Sequence, residues 1–316
     1  MAEFGIPYMG SKDKIAMSIC SFLPSAENFY DLFGGGGAIT HCMMLKKSYK
    51  YQSFTFNDIQ PGNAEIIRNA IAGKYSYKNF KPPWVSREEF FRLKETDPYI
   101  RMLWSFGNNQ KDYLFGKDIE AYKKSMHMAV VFDEFNDLSS RIIGFSKWPK
   151  TFPSTDIKRR RLYLRQRVKY YFKNKSSSEL KQLQQLQQLQ QLQQLQQLLR
   201  LERLQQLERL EQLEQLENKE LTILTGSYDQ VEIRPNSVIY CDPPYKGTTD
   251  YLNSFDHKKF FDWAANIDHP VYISEYDIKD TRFELVYNVT KRPMLSGSKV
   301  SMKKGITEKL YWNRKG

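Results

Sequence analysis

Cysteine and histidine are scarce in this chain of 316 residues, which contains three cysteines and four histidines. Cys20, Cys42 and Cys241 are odd in number and show no Cys-x-x-Cys spacing, so the sequence indicates neither a disulfide framework nor a metal site. No apolar run is long enough to span a membrane, and the N-terminal segment has acids and a glycine turn where a signal peptide has an apolar core. We therefore expect no membrane partner and a cytoplasmic location.

Apolar residues make up 41% of the chain and include 20 phenylalanines and 20 tyrosines, enough for a sizeable core in one large domain or two. Strand-like and helix-like segments alternate towards both ends of the chain. This alternation predicts an α/β fold built on a doubly wound, mostly parallel sheet with helices on both faces. The net charge of +12 indicates an acidic partner such as nucleic acid.

The most informative motif is Asp242-Pro243-Pro244-Tyr245, which follows the apolar run from Val238 to Cys241. Two consecutive prolines stiffen the backbone, since proline fixes its own φ and restricts the preceding residue to extended geometry. Asp242 and the Pro243 carbonyl can accept both hydrogens of an exocyclic amine, and Tyr245 can stack on the ring, as in enzymes that hold a flipped base. The alternative interpretation is a strand that ends in a proline turn.

A second motif lies near the N-terminus, where Asp31-Leu32-Phe33 leads into the four glycines from Gly34 to Gly37. Glycine allows positive φ and lets a ligand approach the backbone, so this turn is typical of a nucleotide cradle, although a tight turn is the plainer interpretation. Its spacing matches neither a phosphate loop nor a dinucleotide fingerprint. About twenty residues later a second strand ends in Asp58, and in doubly wound sheets an acid at this place binds ribose hydroxyls.

In their order along the chain, these motifs resemble those of the DNA adenine methyltransferases of the alpha class, the Dam-like D12 family, which use S-adenosylmethionine. That class runs from Tyr/Trp-x-Gly-x-Lys through Phe-x-Gly-x-Gly and a target-recognition region to Asp-Pro-Pro-Tyr. The matching residues here are Tyr8-Gly10-Lys12, Phe33-Gly35-Gly37 and residues 242–245. Residues 104–109, 273–276 and 308–312 look closest to phage or prophage members. The resemblance covers nearly all of the chain except residues 176–218.

The resemblance implies transfer of a methyl group from S-adenosylmethionine to the exocyclic N6 of an adenine flipped out of double-stranded DNA, in a bacterial or phage-infected cell. It implies that Asp242, Pro243, Pro244 and Tyr245 are the catalytic motif. It also implies a cofactor-binding set, with Asp58 near the ribose: Tyr8, Gly10, Lys12, Asp31, Phe33, Gly34, Gly35, Gly37 and Asp58. Direct transfer needs no covalent intermediate, so we expect positioning of the amine to supply most of the acceleration.

The chain departs from the family pattern at two places. Leu32 stands where the family often has proline, and we expect this change to be harmless. The family's Gly-Asp-Phe/Tyr turn, which helps to hold the adenine of the cofactor, reads Gly226-Ser227-Tyr228. Its acid is therefore missing unless Asp229 substitutes for it.

Other functions stay open at the level of sequence. The same pair of acceptors and stacking ring also fits the exocyclic amine of cytosine, although aspartate in place of serine at position 242 looks more like the adenine enzymes. A catalytically idle DNA-binding or assembly protein is an alternative from a different class, and RNA is a further candidate substrate. Labelled-methyl transfer followed by nucleoside analysis separates these hypotheses.

A basic run rich in aromatic residues extends from Lys158 to Lys173. Such cations attract phosphates without regard to base sequence, and we predict DNA contacts for Arg159, Arg160, Arg161, Arg165 and Arg167. A solvated basic helix that binds nothing is the alternative. Groups able to contact bases also occur in residues 104–109 and 147–149, which fit core and turn equally well.

Leucine occupies every third position from Leu180 through Leu216, with mainly glutamine, glutamate and arginine between and Leu199 as one extra leucine. An α-helix turns about 100° per residue, so its leucines would wind around the axis, whereas a 3-10 helix would align them in one column. The other residues favour an α-helix, long 3-10 helices are uncommon, and disorder is the third alternative. We predict a long helix, which is either a tolerated repeat expansion or an arm for self-association or DNA clamping.

These motifs predict the domain organisation. Residues 1–72 and 219–316 form the methyltransferase catalytic domain, residues 73–175 form an inserted target-recognition domain, and residues 176–218 form the leucine repeat. Ligands of doubly wound sheets lie at the carboxyl ends of strands, and Gly34 to Gly37, Asp58 and Asp242 all fall at such ends.

Overall fold

The computed structural model describes residues 4–78, 80–150, 156–175, 201–217, 219–245, 255–290 and 307–316. The side chains of residues 167–175, 202, 289, 290 and 307 are outside this description. The chain divides into two compact units, one made of Met1–Ala72 with Gln212–Gly316 and the other of Gly73–Glu211. None of the helices within the described ranges has the length and apolarity that a membrane crossing requires.

Among the described residues, seven strands form one sheet in the first unit. In chain order they are β1 (Asn28–Asp31), β2 (Ser53–Asp58), β3 (Leu221–Thr225), β4 (Ser237–Cys241), β5 (Val271–Glu275), β6 (Glu284–Thr290) and β7 (Thr307–Trp312). Their spatial order is β3-β2-β1-β4-β5-β7-β6. Strands β1 to β5 pair in parallel and β7 is antiparallel to both of its neighbours, which confirms the predicted mostly parallel α/β sheet.

The described α-helices are α1 (Ala16–Phe22), α2 (Ala38–Lys46), α3 (Pro61–Ile71), α4 (Arg87–Leu93), α5 (Pro98–Leu103), α6 (Lys117–Phe132), α7 (Asp137–Ile143), α8 (Ile157–Lys175), α9 (Glu202–Glu211) and α10 (His257–Asn266). In the first unit, β1, β4 and β5 are buried along their whole length, as expected for strands covered on both faces. Tyr30, Ile239 and Ile273 of these strands pack in one core cluster with Phe260 of α10.

The topology brings the sequence motifs to one edge of the sheet. From β1 the chain proceeds to β2 and β3 on one side and then to β4 and β5 on the other, so the strand order reverses between β1 and β4. Asp31 at the end of β1 lies opposite Tyr240 of β4, and residues 242–245 therefore leave the sheet beside the glycine turn. Such a reversal point is where open α/β sheets bind ligands.

The second unit is helical, and its sequence marks several helix starts. Ser86 and Glu89 form a capping box at the start of α4, and α5 begins at Pro98 after Asp97, whose side chain accepts from a backbone N–H of the first turn. Apolar residues of α6, including Met126 and Val130, form a core cluster with residues from α7, α8 and the start of the described repeat.

The described end of the leucine repeat forms α9 and then a 3-10 helix at Gln212–Leu216. All of its leucines in register are buried: Leu201, Leu204, Leu207, Leu210, Leu213 and Leu216. Both predicted helix types therefore occur here in succession, and this part of the repeat presents no leucine column to a second chain. It also forms no segment of its own, since Glu211 ends the second unit and Gln212 resumes the first. Residues 180–200 lie outside the described residues.

Candidate active site

The glycine turn after β1 is shaped by side chains of the protein itself. A Cβ atom on Gly34 would lie 2.0 Å from the ring of the buried Phe56, so no larger residue fits at this position. Gly35 has a φ of +49°, a left-handed conformation that favours glycine. The ring of Tyr8 lies beside the same residue, 3.0 Å from the position of a Gly35 Cβ. The structure thus brings Tyr8 together with the predicted cradle.

Asp58 ties the end of β2 to the glycine turn. Its Oδ2 accepts from the Gly35 N–H at 2.7 Å, while Oδ1 accepts from the Gln60 N–H at 2.8 Å and from the Asn63 amide at 3.0 Å. Burial raises the pKa of Asp58, and these three hydrogen bonds oppose that shift. A carboxylate has about four acceptor positions, so one is left for a ligand hydroxyl. The predicted contact with a ribose stays a prediction.

Two neighbours of Asp58 were missed by the sequence interpretation. The buried Asn57 amide donates to the Leu32 carbonyl at 3.1 Å and to the Gly226 carbonyl at 3.0 Å, which joins the ends of β1 and β3 to β2. Ile59, directly after Asp58, is 68% exposed and presents an apolar side chain at the ligand edge of the sheet. The only signal in the sequence was their position beside the strand-ending acid.

Phe33 and Gly10 have different surroundings. The Phe33 ring stacks on Tyr228 with 5.3 Å between ring centroids and meets Phe260 edge-on at 5.4 Å, so it anchors the strand end in the aromatic core. Gly10 has a φ of +83° and lies in an exposed turn with no atom near the position of a Cβ. Gly10 is therefore exposed, while Phe33 is half-buried.

Asp31 is a buried acid at the end of β1, with 1% of its surface exposed. Its Oδ2 accepts from the Thr40 hydroxyl at 2.7 Å, and its Oδ1 has no hydrogen-bond partner among the described residues. The pKa of Asp31 is raised to about 7: burial is the largest cause, the Thr40 hydrogen bond opposes it, and the charges of Asp242 and Asp58 add to it. This group is suited to a cationic ligand, which would stabilise its charged form.

Asp242 is held through one oxygen only. Its Oδ2 lies 2.6 Å from the Lys12 ammonium, and its Oδ1 is buried without a hydrogen-bond partner in the described part of the chain. Burial raises the pKa of Asp242, attraction to Lys12 lowers it and the charge of Glu308 raises it again. Burial alone would lower the pKa of Lys12, but attraction to the two carboxylates outweighs it and keeps the ammonium charged.

Tyr245 is fixed from three directions. Its hydroxyl donates to Glu308 Oε1 at 2.7 Å, its ring centroid lies 4.7 Å from the Lys12 ammonium, and Tyr276 meets the ring edge-on at 4.4 Å. Burial raises the pKa of Tyr245, so the hydroxyl stays protonated. The structure therefore brings Asp242, Tyr245 and Lys12 together and adds Glu308, to which the sequence interpretation gave no role.

The acid in the turn after β3, Asp229, is paired with neighbouring side chains. Asp229 lies 2.7 Å from the ammonium of the exposed Lys259 and also accepts from the Ser227 hydroxyl. These hydrogen bonds, first from Lys259 and then from Ser227, lower the pKa of Asp229. Whether Asp229 replaces the missing family acid stays an open hypothesis, since its carboxylate is turned to Lys259.

The predicted DNA contact is wrong for two arginines of α8. Arg160 is 6% exposed, donates to the Val130 carbonyl at 3.2 Å and lies 3.4 Å from the Asp133 carboxylate. Arg161 is 9% exposed and forms a bidentate ion pair with Glu208 of α9. Both side chains stabilise the second unit, because they lie on the face of α8 that packs inward.

The remaining arginines of the predicted set differ from these two. Arg159 has a side chain that is 70% exposed, and Arg165 is also exposed. The side chain of Arg167 lies outside the described residues. The prediction of DNA contacts thus stands for Arg159 and Arg165 alone among the described side chains.

The segment 104–109 divides into a core part and an exposed part. Trp104 is completely buried, and the guanidinium of Arg203 lies 3.9 Å from its ring centroid. Phe106, two residues later, is 65% exposed in a turn where Gly107 and Asn108 both have positive φ. Trp104 is therefore a core residue, and Phe106 is the side chain of this segment that faces outward.

We searched the described residues for groups of metal-ligating side chains. Within the described ranges, no three His, Cys, Asp or Glu side chains come together as a metal site would require. Cys20, Cys42 and Cys241 are all buried and unpaired.

Comparison with known proteins gives a family and two structural matches of low similarity. The family model described as D12 class N6 adenine-specific DNA methyltransferase matches residues 8–292. The rRNA methyltransferase aviRa from Streptomyces viridochromogenes, solved at 2.4 Å, is 9% identical with a TM-score of 0.30, covering 92% of this chain and 77% of that one. A 1.5 Å structure of the same enzyme is 10% identical with a TM-score of 0.32, covering 97% and 86%. No curated protein matches the chain.

Proposed function

The chain belongs to the D12 class N6 adenine-specific DNA methyltransferase family, and from this premise we propose that it methylates N6 of an adenine flipped out of double-stranded DNA, with S-adenosylmethionine as the methyl donor. The flipped base would enter the crevice at the carboxyl ends of β1 and β4, where the strand order reverses. The proposed location is the cytoplasm of a bacterial or phage-infected cell.

The proposal depends most on the state of Asp242. Lys12 holds Oδ2 at 2.6 Å, while Oδ1 is buried and has no hydrogen-bond partner among the described residues. A buried acceptor without a partner is costly, typically about 1–3 kcal/mol, and a substrate donor would remove that cost. The exocyclic amine of adenine is such a donor.

The proposed chemistry has to overcome the low nucleophilicity of the adenine amine. Its lone pair is delocalised into the ring, so it is a poor nucleophile. If Asp242 Oδ1 and the Pro243 carbonyl accept its two hydrogens, the nitrogen becomes more pyramidal and its lone pair points at the methyl group. Tyr245 holds the ring by stacking. Positioning of the two reactants then supplies most of the acceleration.

The residues at the strand ends fit S-adenosylmethionine, which supplies an electrophilic methyl group when bound. The glycine turn allows close approach of a ligand to the backbone, and Asp58 has one acceptor position left for a ribose hydroxyl. Ile59 offers an exposed apolar surface for the adenine of the cofactor. The buried carboxylate of Asp31 favours a ligand that carries positive charge.

DNA binding is proposed for exposed groups of the second unit. Arg159 and Arg165 present cations on the outer face of α8, where they can neutralise phosphates. Phe106 adds an exposed aromatic ring on a turn of defined backbone shape. The buried Arg160 and Arg161 have no part in this surface.

Self-association through residues 180–216 is a separate hypothesis. The leucines from Leu201 onward are buried in the fold, so only residues 180–200 are left to carry it. Deleting residues 180–197 keeps the triplet spacing and the buried leucines. A changed sedimentation coefficient beyond the mass difference supports self-association, and an unchanged oligomeric state rejects it.

The catalytic proposal is tested by labelled-methyl transfer to double-stranded DNA, followed by nucleoside analysis. The wild-type protein is expected to yield N6-methyladenine, and Asp242→Ala is expected to yield none. Asp268→Ala, at a carboxylate that is 94% exposed, is the matched control and should retain full activity. Label found in N4-methylcytosine would replace adenine by cytosine as the substrate, and no label in any base would support a protein that only binds DNA.

A further inference from the structure

Glu308 is a buried acid on β7, with 1% of its side chain exposed. β7 is antiparallel to β5, with Lys309 opposite Glu275 at the end of β5. Glu308, the residue before Lys309, therefore lies just beyond the carboxyl end of β5. The last strand of the sheet thus carries a carboxylate to the edge where Asp242 lies, more than sixty residues earlier in the chain.

One oxygen of Glu308 joins two groups of the catalytic motif. Its Oε1 lies 3.1 Å from the Lys12 ammonium and accepts from the Tyr245 hydroxyl at 2.7 Å. Lys12 in turn lies 2.6 Å from Asp242 Oδ2. Both the Lys12 ammonium and the Tyr245 hydroxyl donate to Oε1, and an ionised carboxylate is the stronger acceptor for such donors.

The charges of this group do not cancel. One ammonium, that of Lys12, faces the two carboxyl groups of Asp242 and Glu308, so the three groups carry a net charge of −1 when both carboxyl groups are ionised. If Glu308 were neutral, Lys12 would balance Asp242 completely. The charge that remains belongs to the site where the amine of adenine is proposed to bind.

We propose that Glu308 is a positioning residue for methyl transfer, which orients Lys12 and Tyr245 and leaves Asp242 a negative charge to stabilise the reacting amine. The inference rests on the proposed role of Asp242. During transfer the carbon–sulfur bond breaks with its electron pair on sulfur, and the lone pair of N6 forms the new carbon–nitrogen bond. N6 gains positive charge and then releases one proton to water. Negative charge beside N6 stabilises the transition state more than the ground state.

Glu308→Gln tests this role, because glutamine keeps the size and an acceptor for Tyr245 but removes the charge. We expect kcat to fall on the order of 10- to 100-fold, below the loss for a group that contacts the reacting atoms. The KM values for DNA and S-adenosylmethionine should stay within about threefold, since the lost interaction belongs to the transition state. Glu284→Gln on β6, at a side chain that is 53% exposed, is the matched control and should leave kcat unchanged.

The pH dependence of kcat distinguishes this role from a purely structural one. Glu308 raises the pKa of Asp242, so removing its charge should move the acid limb of the profile to lower pH. Other groups that act on Asp242 are Lys12 and Tyr245, which contact Glu308 themselves, and Asp31, Tyr240 and Cys241. A structural defect would lower kcat at every pH without moving the limb.

Glu308→Asp keeps the charge and should recover the wild-type acid limb with part of the lost kcat. Wild-type kcat in Glu308→Gln, or a lower kcat with an unmoved acid limb, would overturn the proposal. If Glu308→Gln does not fold, Tyr245→Phe removes the same hydrogen bond from the other side. In that case an unchanged kcat overturns the proposal and a decrease with unchanged KM values supports it. A wild-type protein that transfers no methyl group to adenine contradicts the proposed function instead.

Discussion

Replacing Asp31 by asparagine should remove one specific dependence of stability on pH. Burial raises the pKa of this carboxyl from 3.8 to about 7. Between these values the folded protein keeps a proton on Asp31 that the unfolded chain has already released. The folded state therefore binds more protons, and the free energy of unfolding falls as pH rises through this window.

The expected magnitude follows from the size of the shift. One pKa unit corresponds to about 1.4 kcal/mol, so a shift of roughly three units destabilises the folded protein by about 4 kcal/mol at pH 8. Part of this loss has already occurred at pH 5. Between pH 5 and pH 8 the contribution of Asp31 alone is a decrease of roughly 2.5 kcal/mol. Asparagine does not titrate and can still accept from Thr40.

Urea unfolding of the wild type and Asp31→Asn at pH 5 and pH 8 measures this difference. Asp58 and Asp242, whose pKa values are also raised, titrate in both proteins, so the difference between the proteins reports Asp31 together with its charge interaction with these two acids. Asp268→Asn, at an exposed carboxylate, should follow the wild type at both pH values. Equal changes between pH 5 and pH 8 in the wild type and Asp31→Asn would refute the burial argument for Asp31.

The remaining predictions concern DNA binding, the second unit and the glycine turn. Replacing Arg159 and Arg165 by glutamine should make the plot of log DNA-binding constant against log salt concentration less steep by about 2, since each phosphate contact contributes about 0.9 to its slope. Fluorescence anisotropy over a salt series measures this slope. An unchanged slope would show that these cations do not contact DNA. Arg161→Gln should leave that slope unchanged but lower the free energy of unfolding by roughly 1–3 kcal/mol, because its ion pair with Glu208 is largely buried; wild-type stability in urea would contradict this. Gly34→Ala should destabilise the protein by about 1–3 kcal/mol, because its Cβ would lie 2.0 Å from the ring of Phe56. It should also weaken S-adenosylmethionine binding, measured by calorimetry. A variant with unchanged stability and binding would show that the Phe56 ring moves freely.

The placement of residues 242–245 beside the glycine turn was predictable because a parallel sheet places strand ends at one edge. Asp242 follows β4 and the glycines follow β1, two strands that pair directly. Local sequence marks such strand ends by an acid or a glycine after an apolar run. The α/β fold class was predictable for the same reason, since the alternation of strands and helices is a local pattern.

Glu308 was not predictable in its role, because an antiparallel strand inserted between β5 and β6 depends on long-range pairing that no local pattern shows. The prediction of DNA contacts for Arg160 and Arg161 on the basic helix failed for a different reason. A run of cations does not reveal which side of a helix packs inward, and Arg160 and Arg161 lie on that side while Arg159 lies outside. Their partners come from distant parts of the chain.

The leucine triplet was ambiguous because a period of three residues does not match the 3.6-residue period of an α-helix, so its leucines do not form a single face. The four leucines of Leu201 to Leu210 span about half of the helix circumference, at 60° of slip per triplet. All of them are buried, so the fold surrounds this helix instead of leaving it one apolar stripe. A period alone could not predict how many sides would be covered.

The most direct test of the central claim compares cofactor binding and methyl transfer in Asp242→Ala. Calorimetry with S-adenosylmethionine and labelled-methyl transfer to DNA are measured on the same preparation, beside the wild type and Asp268→Ala. We predict that Asp242→Ala binds the cofactor nearly as the wild type does and transfers no methyl group to adenine. An Asp242→Ala protein that still forms N6-methyladenine at the wild-type rate would contradict the account.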